Sequence, residues 1–289
     1  MESWSPPIPL TAVLAVAAFF YVRGWLHLRA MFPKLISVRH ITAFVSGLIA
    51  VWIAAGSSLA ALDHELLSIH MVQHILLMAI APALILVGAP ALALMHGLPR
   101  RFGQAVAHFL RSVPVQRVAK IVARPVVCWL AATITVVGWH VPAVFGLGLR
   151  SHWWHEIQQI SFFAAGLLFW LPVIQPWPMT SSWPRWSAPL YLFLATLPCD
   201  ALSAFLTFCD RVVYPHYASA SRPLQISALQ DQEWAGVLMW VAITFIYMVP
   251  AAVITVRMLS PQTPASQSTE ILPQPAPQPS LKATQIEAV

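Results

Sequence analysis

The feature that most constrains this chain is a series of apolar runs, each about 20 residues long, separated by shorter polar segments. A run of that length crosses a hydrocarbon layer roughly 30 Å thick only as a helix, because backbone N–H and C=O groups facing lipid must be satisfied internally. Seven runs meet this requirement, at about 8–28, 40–62, 67–95, 125–147, 157–174, 189–209 and 232–258. The expected fold class is an all-α integral membrane protein, a bundle of seven transmembrane helices forming one domain over 1–260. Composition agrees, with 58% hydrophobic and 9% charged residues and a mean hydropathy of +0.71. Residues 1–9 lack a basic n-region, so the first run is expected to stay as a helix and not to be cleaved.

A net charge of +6 and a pI near 9.7 would suit nucleic acid, but the basic residues stand between hydrophobic helices. Their better reading is topological, and no nucleic-acid partner is expected. Basic residues collect in short cytoplasmic loops. Arg23, Arg29, Lys34 and Arg39 follow the first run, Arg100 to Arg124 follow the third, Arg185 follows the fifth and Arg257 ends the seventh. Asp63, Glu65, Glu156, Asp210, Asp231 and Glu233 mark the opposite ends. The expected arrangement is N-out, C-in.

Between 98 and 124, Phe102, Val106, Phe109, Leu110, Val113, Val118 and Val122 interleave with the basic residues, the pattern of a helix lying along an anionic lipid leaflet. A solvated basic loop is the alternative. Residues 261–289 turn to Pro, Gln, Ser and Ala, with PQPAPQPS at 273–280, and are expected to be a disordered cytoplasmic tail. Cys128, Cys199 and Cys209 are widely spaced and form no CxxC, so neither a disulfide framework nor a zinc knuckle is suggested.

The eleven histidines separate on this topology. His27, His40, His96 and His108 fall at the inner ends, whereas His64, His70, His74, His140, His152, His155 and His216 fall toward the outside. In the run beginning HMVQHILLM, a spacing of four puts His70 and His74 on one helix face, and Met78 extends the row by a turn. Imidazole suits copper, zinc, iron and nickel, and a thioether favours the softer cuprous ion. A lone intramembrane histidine usually serves as a helix-to-helix hydrogen-bonding group; an i,i+4 pair with further histidines at the same depth argues for a metal site.

His140 precedes Pro142, which weakens the end of its helix, and His155 begins another. Asp200 lies well inside an apolar run, where a carboxylate is costly unless paired or neutralised. Asp231 and Gln232 open the final run at the outer mouth.

Five motifs occur in order: HMVQHILLMAIAP at 70–82, WHVPAVF at 139–145, GLLFWLP at 166–172, YPHY at 214–217 and DQEWAGVLMW at 231–240. Over roughly 10–258 the chain resembles the CtaG family of caa3-type cytochrome c oxidase assembly factors. The resemblance implies a seven-helix protein of the bacterial inner membrane, needed to form active haem–copper oxidase by helping copper reach it. By position it covers His70, His74, His140, His155, Asp231 and Gln232. The sequence departs from the family pattern at Gln158 and Gln159, where an acidic residue and a histidine are expected.

The leading expectation is a non-enzymatic assembly factor that binds copper transiently through His70, His74, His140, His155 and Met78, with Asp231, Gln232 and Asp200 in support. Its partners would be cytochrome c oxidase subunits, a periplasmic copper chaperone and membrane lipid. The alternatives are a haem-binding membrane electron carrier, in which histidines of two helices act as axial ligands, and a metal-free scaffold for oxidase subunits. No nucleophile with a base, phosphate loop or metalloprotease signature is present.

Overall fold

A computed structural model describes residues 7–33, 36–175, 183–184, 186–219 and 226–260. The predicted disordered tail, Lys34 and Arg185 lie outside the described residues. Among the described residues all regular structure is helical. In chain order the helices are α1 (Ile8–Met31), α2 (Val38–Gly56), α3 (Leu59–Leu62), α4 (Leu67–Ile75), a π-helical turn (Leu76–Ile80), α5 (Ala81–Val87) and α6 (Pro90–Gly97). There follow α7 (Arg100–Arg111), α8 (Val113–Val122), α9 (Pro125–His140), α10 (Pro142–Arg150), α11 (His152–Ile174), α12 (Ser187–Phe208), α13 (Pro215–Ser219) and α14 (Ala228–Leu259).

Six helical stretches are long and apolar enough to cross a membrane, and a seventh arises if α8 and α9, bent by 69°, count as one span. The expected seven-helix count is therefore met as six or seven. Two predicted runs are interrupted. The run 67–95 breaks at Gly88 and Ala89, where Ala89 takes a left-handed φ of 48° and Pro90 starts α6. A proline has no N–H to continue the preceding ladder and is suited to a first helical turn. The run 125–147 breaks at Val141, with Pro142 opening α10 for the same reason. The run 157–174 begins earlier, at His152.

The α4–π–α5 stretch forms the centre, packed against α2, α11 and α14. Within it Pro82 has no N–H for the Met78 carbonyl, and the ladder widens to a π turn just before it. Gly166 of α11 brings its backbone against that carbonyl, with no room for a Cβ. On the far side α6 lies along α1, with Gly24 against the Ala93 carbonyl and Gly97 against that of Phe20, so close that a Cβ at either would overlap backbone. Small residues permit this kind of approach between apolar helices, where dispersion does the work.

The 98–124 segment is a pair of helices, α7 and α8, with Phe102, Val106, Phe109 and Leu110 exposed on the first and Val113 and Val118 on the second.

Candidate metal centre

At the end of the bundle where α3, α4, α9, α11 and α13 meet, the structure brings together six histidines and a buried carboxylate. His70 and His74 sit on α4 with ring centroids 4.3 Å apart. His140, at the last residue of α9, is 5.7 Å from His74, and His155, in the first turn of α11, is 6.0 Å from His70. His64 lies 5.4 Å from His155, and His216 of α13 lies 6.2 Å from His64. The six imidazoles form a line from an exposed ring, His216, to the buried His74 and His140. Phe162 stacks on His74 at 4.0 Å and Phe145 lies 5.0 Å from His70, walling the inner part.

The inner groups carry donor atoms without partners. Both ring nitrogens of His70, Nδ1 of His74 and the side-chain amides of Gln73 and Gln158 are buried and make no hydrogen bond to protein. Native structures rarely leave such groups unsatisfied, since each costs about 1–3 kcal/mol. His140 Nδ1 lies 2.7 Å from the Val136 carbonyl. That nitrogen must therefore carry the proton, and Nε2 keeps a lone pair. Nε2 faces Met71 Sδ at 3.4 Å. Two lone-pair donors pointed at each other have little mutual attraction, but they stand where two ligands of one soft cation would. For bonds of about 2.0 Å to nitrogen and 2.3 Å to sulfur in tetrahedral geometry, the separation is roughly 3.5 Å.

At the mouth, Asp63 is fully buried, its Oδ2 3.0 Å from His155 Nε2 and its Oδ1 3.6 Å from His64 Nε2. Burial opposes ionisation of Asp63, but the side chain of His155 and the imidazoles of His70 and His64 outweigh it and hold the carboxyl below its usual range. Burial pushes His64 below the ordinary imidazole range, against the pull of Asp63, so its ring is neutral at pH 7.

A shell of hydrogen bonds fixes these helices. Leu67 N–H donates to Asp231 Oδ2 at 2.6 Å, and the Ser68 N–H and hydroxyl donate to Oδ1 at 3.2 and 2.6 Å. Asp231 of α14 thus caps the N-terminus of α4 from another helix, meeting its unsatisfied N–H groups with negative charge. Gln232 accepts from Val213 N–H at 2.7 Å and donates to the Leu206 and Arg211 carbonyls, pinning the end of α12. The YPHY loop closes the top. The Tyr214 hydroxyl donates to the His140 carbonyl at 3.1 Å, the Tyr217 hydroxyl donates to the Asp63 carbonyl at 2.7 Å, and Phe145 stacks on Tyr214 at 3.9 Å.

Of the predicted site residues, His70, His74, His140 and His155 come together. Met78 instead lines a gap with Trp129, Val136, Phe169, Cys199 and Tyr247; the thioether set against an imidazole is that of Met71, on α4 ahead of the π turn. Asp231 and Gln232 hold helix ends. Asp200 is half-buried on α12 and takes part in none of the imidazole contacts among the described residues. Asp63, His64 and Met71 are the residues that sequence reasoning left out of the site. The adjacent Asp63–His64 pair, six residues ahead of His70, was the available signal.

Fold and site together define a multi-pass helical membrane protein with a cluster of imidazoles at one end of the bundle. The profile of the cytochrome c oxidase caa3 assembly factors, Caa3_CtaG, matches residues 19–260, and the chain belongs to that family. Uncharacterized proteins of Mycobacterium bovis and Mycobacterium tuberculosis are each 25% identical over 210 residues, covering 70% of this chain and 31% of theirs. One from Mycobacterium leprae is 24% identical over 248 residues, covering 80% and 36%. The chain thus spans about a third of the length of the curated relatives it matches. No solved structure matches.

Proposed function

We propose that this assembly factor takes up copper at the outer face of a bacterial inner membrane and passes it to a nascent haem–copper oxidase. His70, His74 and His140 supply nitrogen ligands, Met71 supplies the thioether, and His155 connects them to the mouth. The observation that carries this reading is the facing pair of lone-pair donors, His140 Nε2 and Met71 Sδ, beside the unpartnered nitrogens of His70 and His74. Mixed imidazole and thioether donors favour cuprous copper, and a site with few ligands releases its ion readily. The outward orientation rests on the basic residues: among the described residues only Arg150 and Arg211 stand at the histidine end. A soluble periplasmic chaperone is the natural donor and an oxidase subunit the acceptor. Asp231 and Gln232 act by positioning, through the helix ends they hold, and Met78 offers a second thioether deeper along the path.

A haem carrier is disfavoured by packing, since Phe145 and Phe162 lie against His70 and His74 where a macrocycle would need a slot. The test is cuprous-copper affinity of the purified chain beside a His70→Gln/His74→Gln variant, with an absorption spectrum. Near-stoichiometric copper in the parent and affinity lower by about 100-fold in the variant is expected. Equal, negligible copper in both without a haem band would leave a metal-free scaffold.

A further inference from the structure

His155 Nε2 has two close neighbours, Asp63 Oδ2 at 3.0 Å and the Gln159 amide nitrogen at 2.7 Å. His155 Nε2 thus stands between an amide and a carboxylate oxygen, while its other ring nitrogen, Nδ1, is buried without a partner. The Asp63 carboxylate is fully buried, and a buried carboxylate calls for a compensating cation. His64, neutral and with its side chain 45% exposed, turns Nε2 to within 3.6 Å of the other carboxylate oxygen. One ligand atom from each of Asp63, His64 and His155 lies within 4.8 Å of the others. Nitrogen and oxygen ligands held at about 2 Å by a tetrahedral cation stand roughly 3.3 Å apart, and the two carboxylate distances bracket that value.

We infer that Asp63, His64 and His155 form a second metal station at the mouth, taking a borderline divalent first-row cation of the zinc or cupric class. Its donors are two imidazoles and a carboxylate, a harder set than the imidazole and thioether donors around Met71. His64 gives it access to solvent, and His155 joins it to His70, 6.0 Å further in. The Tyr217 bond to the Asp63 carbonyl and the contact of His216 Nε2 with the His64 carbonyl at 3.1 Å hold the mouth backbone in place. The station deepens the proposed copper-transfer reading and rests on it. It gives the path a harder outer stop and a softer inner one, so the mouth selects on charge and the interior on softness.

The experiment uses the full chain in detergent with two probes, cobalt(II) for the mouth, read by its visible ligand-field bands, and silver(I) for the inner pocket, read by calorimetry. His64→Ala, at an exposed side chain, is expected to weaken cobalt binding at least about 10-fold and leave silver affinity within about 2-fold; Met71→Leu is expected to do the reverse. Asp63→Asn, judged only if its thermal unfolding matches the parent, should also lose cobalt. Silver binding without cobalt binding, or cobalt binding equal in parent and His64→Ala, overturns the mouth station and leaves the copper reading standing. Cobalt binding without silver binding supports the station and overturns the soft inner pocket. Binding of neither ion overturns both.

Discussion

Two spans of comparable hydropathy, α1 and the α4–π–α5 helix, hold opposite positions in the bundle. Of the apolar window of α1, 17% is buried within the protein; of the window in 67–87, 67% is. The first meets its neighbour through bare backbone at Gly24 and Gly97 and turns side chains such as Val13, Val16 and Phe19 outward. The second buries imidazoles, amides and a π turn, and other helices cap and wall it. In an apolar solvent the amount of hydrophobic surface says little about which helix is central, because lipid and protein interior are equally apolar. Polar groups that lipid cannot satisfy are the better guide.

The contrast can be tested from both sides. The largest effect is expected from Gly97→Leu, whose side chain would displace backbone between α6 and α1. Overpacking of this kind costs about 3 kcal/mol, seen as a lower midpoint of thermal unfolding in detergent. Copper affinity of the fraction still folded should be unchanged, and a parallel fall would show that the peripheral helix and the imidazole cluster are coupled. Asp231→Ala removes the acceptor for three donors at the start of α4 and should cost about 2 kcal/mol, with weaker copper binding as well. Unaltered stability there would mean that water caps the helix equally well.

Tyr214→Phe deletes one buried hydrogen bond to the His140 carbonyl. A loss of about 1 kcal/mol is expected, and the copper site should keep its affinity to within a few fold. The smallest effect belongs to Phe19→Leu on the exposed face of α1, expected to stay within about 0.5 kcal/mol. A larger loss would place a partner against that face.

The helices were legible because apolar length is a direct consequence of membrane thickness. The break at Ala89 was not, since alanine carries no sign of a left-handed backbone; only Pro90 gave notice of a new helix. His70 and His74 were legible as a pair because both lie within α4, where the α-helical period holds. Met78 was read onto that row from an α-helical period, whereas the π turn, anchored by Pro82 and Gly166, changes the period after His74. Asp63 was read as a marker of sidedness, and its role depends on α11 delivering His155 from 92 positions away in sequence. Asp231 was read for its charge at a mouth, whereas its partners are the backbone of a distant helix.

That cap has a consequence for how the protein is made. The N–H groups of Leu67 and Ser68 find their acceptor 164 and 163 residues further along the chain. During synthesis α4 enters the membrane with its first turn open, and it stays open until α14 has been made and inserted. The helix bearing His70 and His74 therefore receives its cap only on completion of the bundle, so an interrupted chain does not yet hold those two imidazoles in their final place.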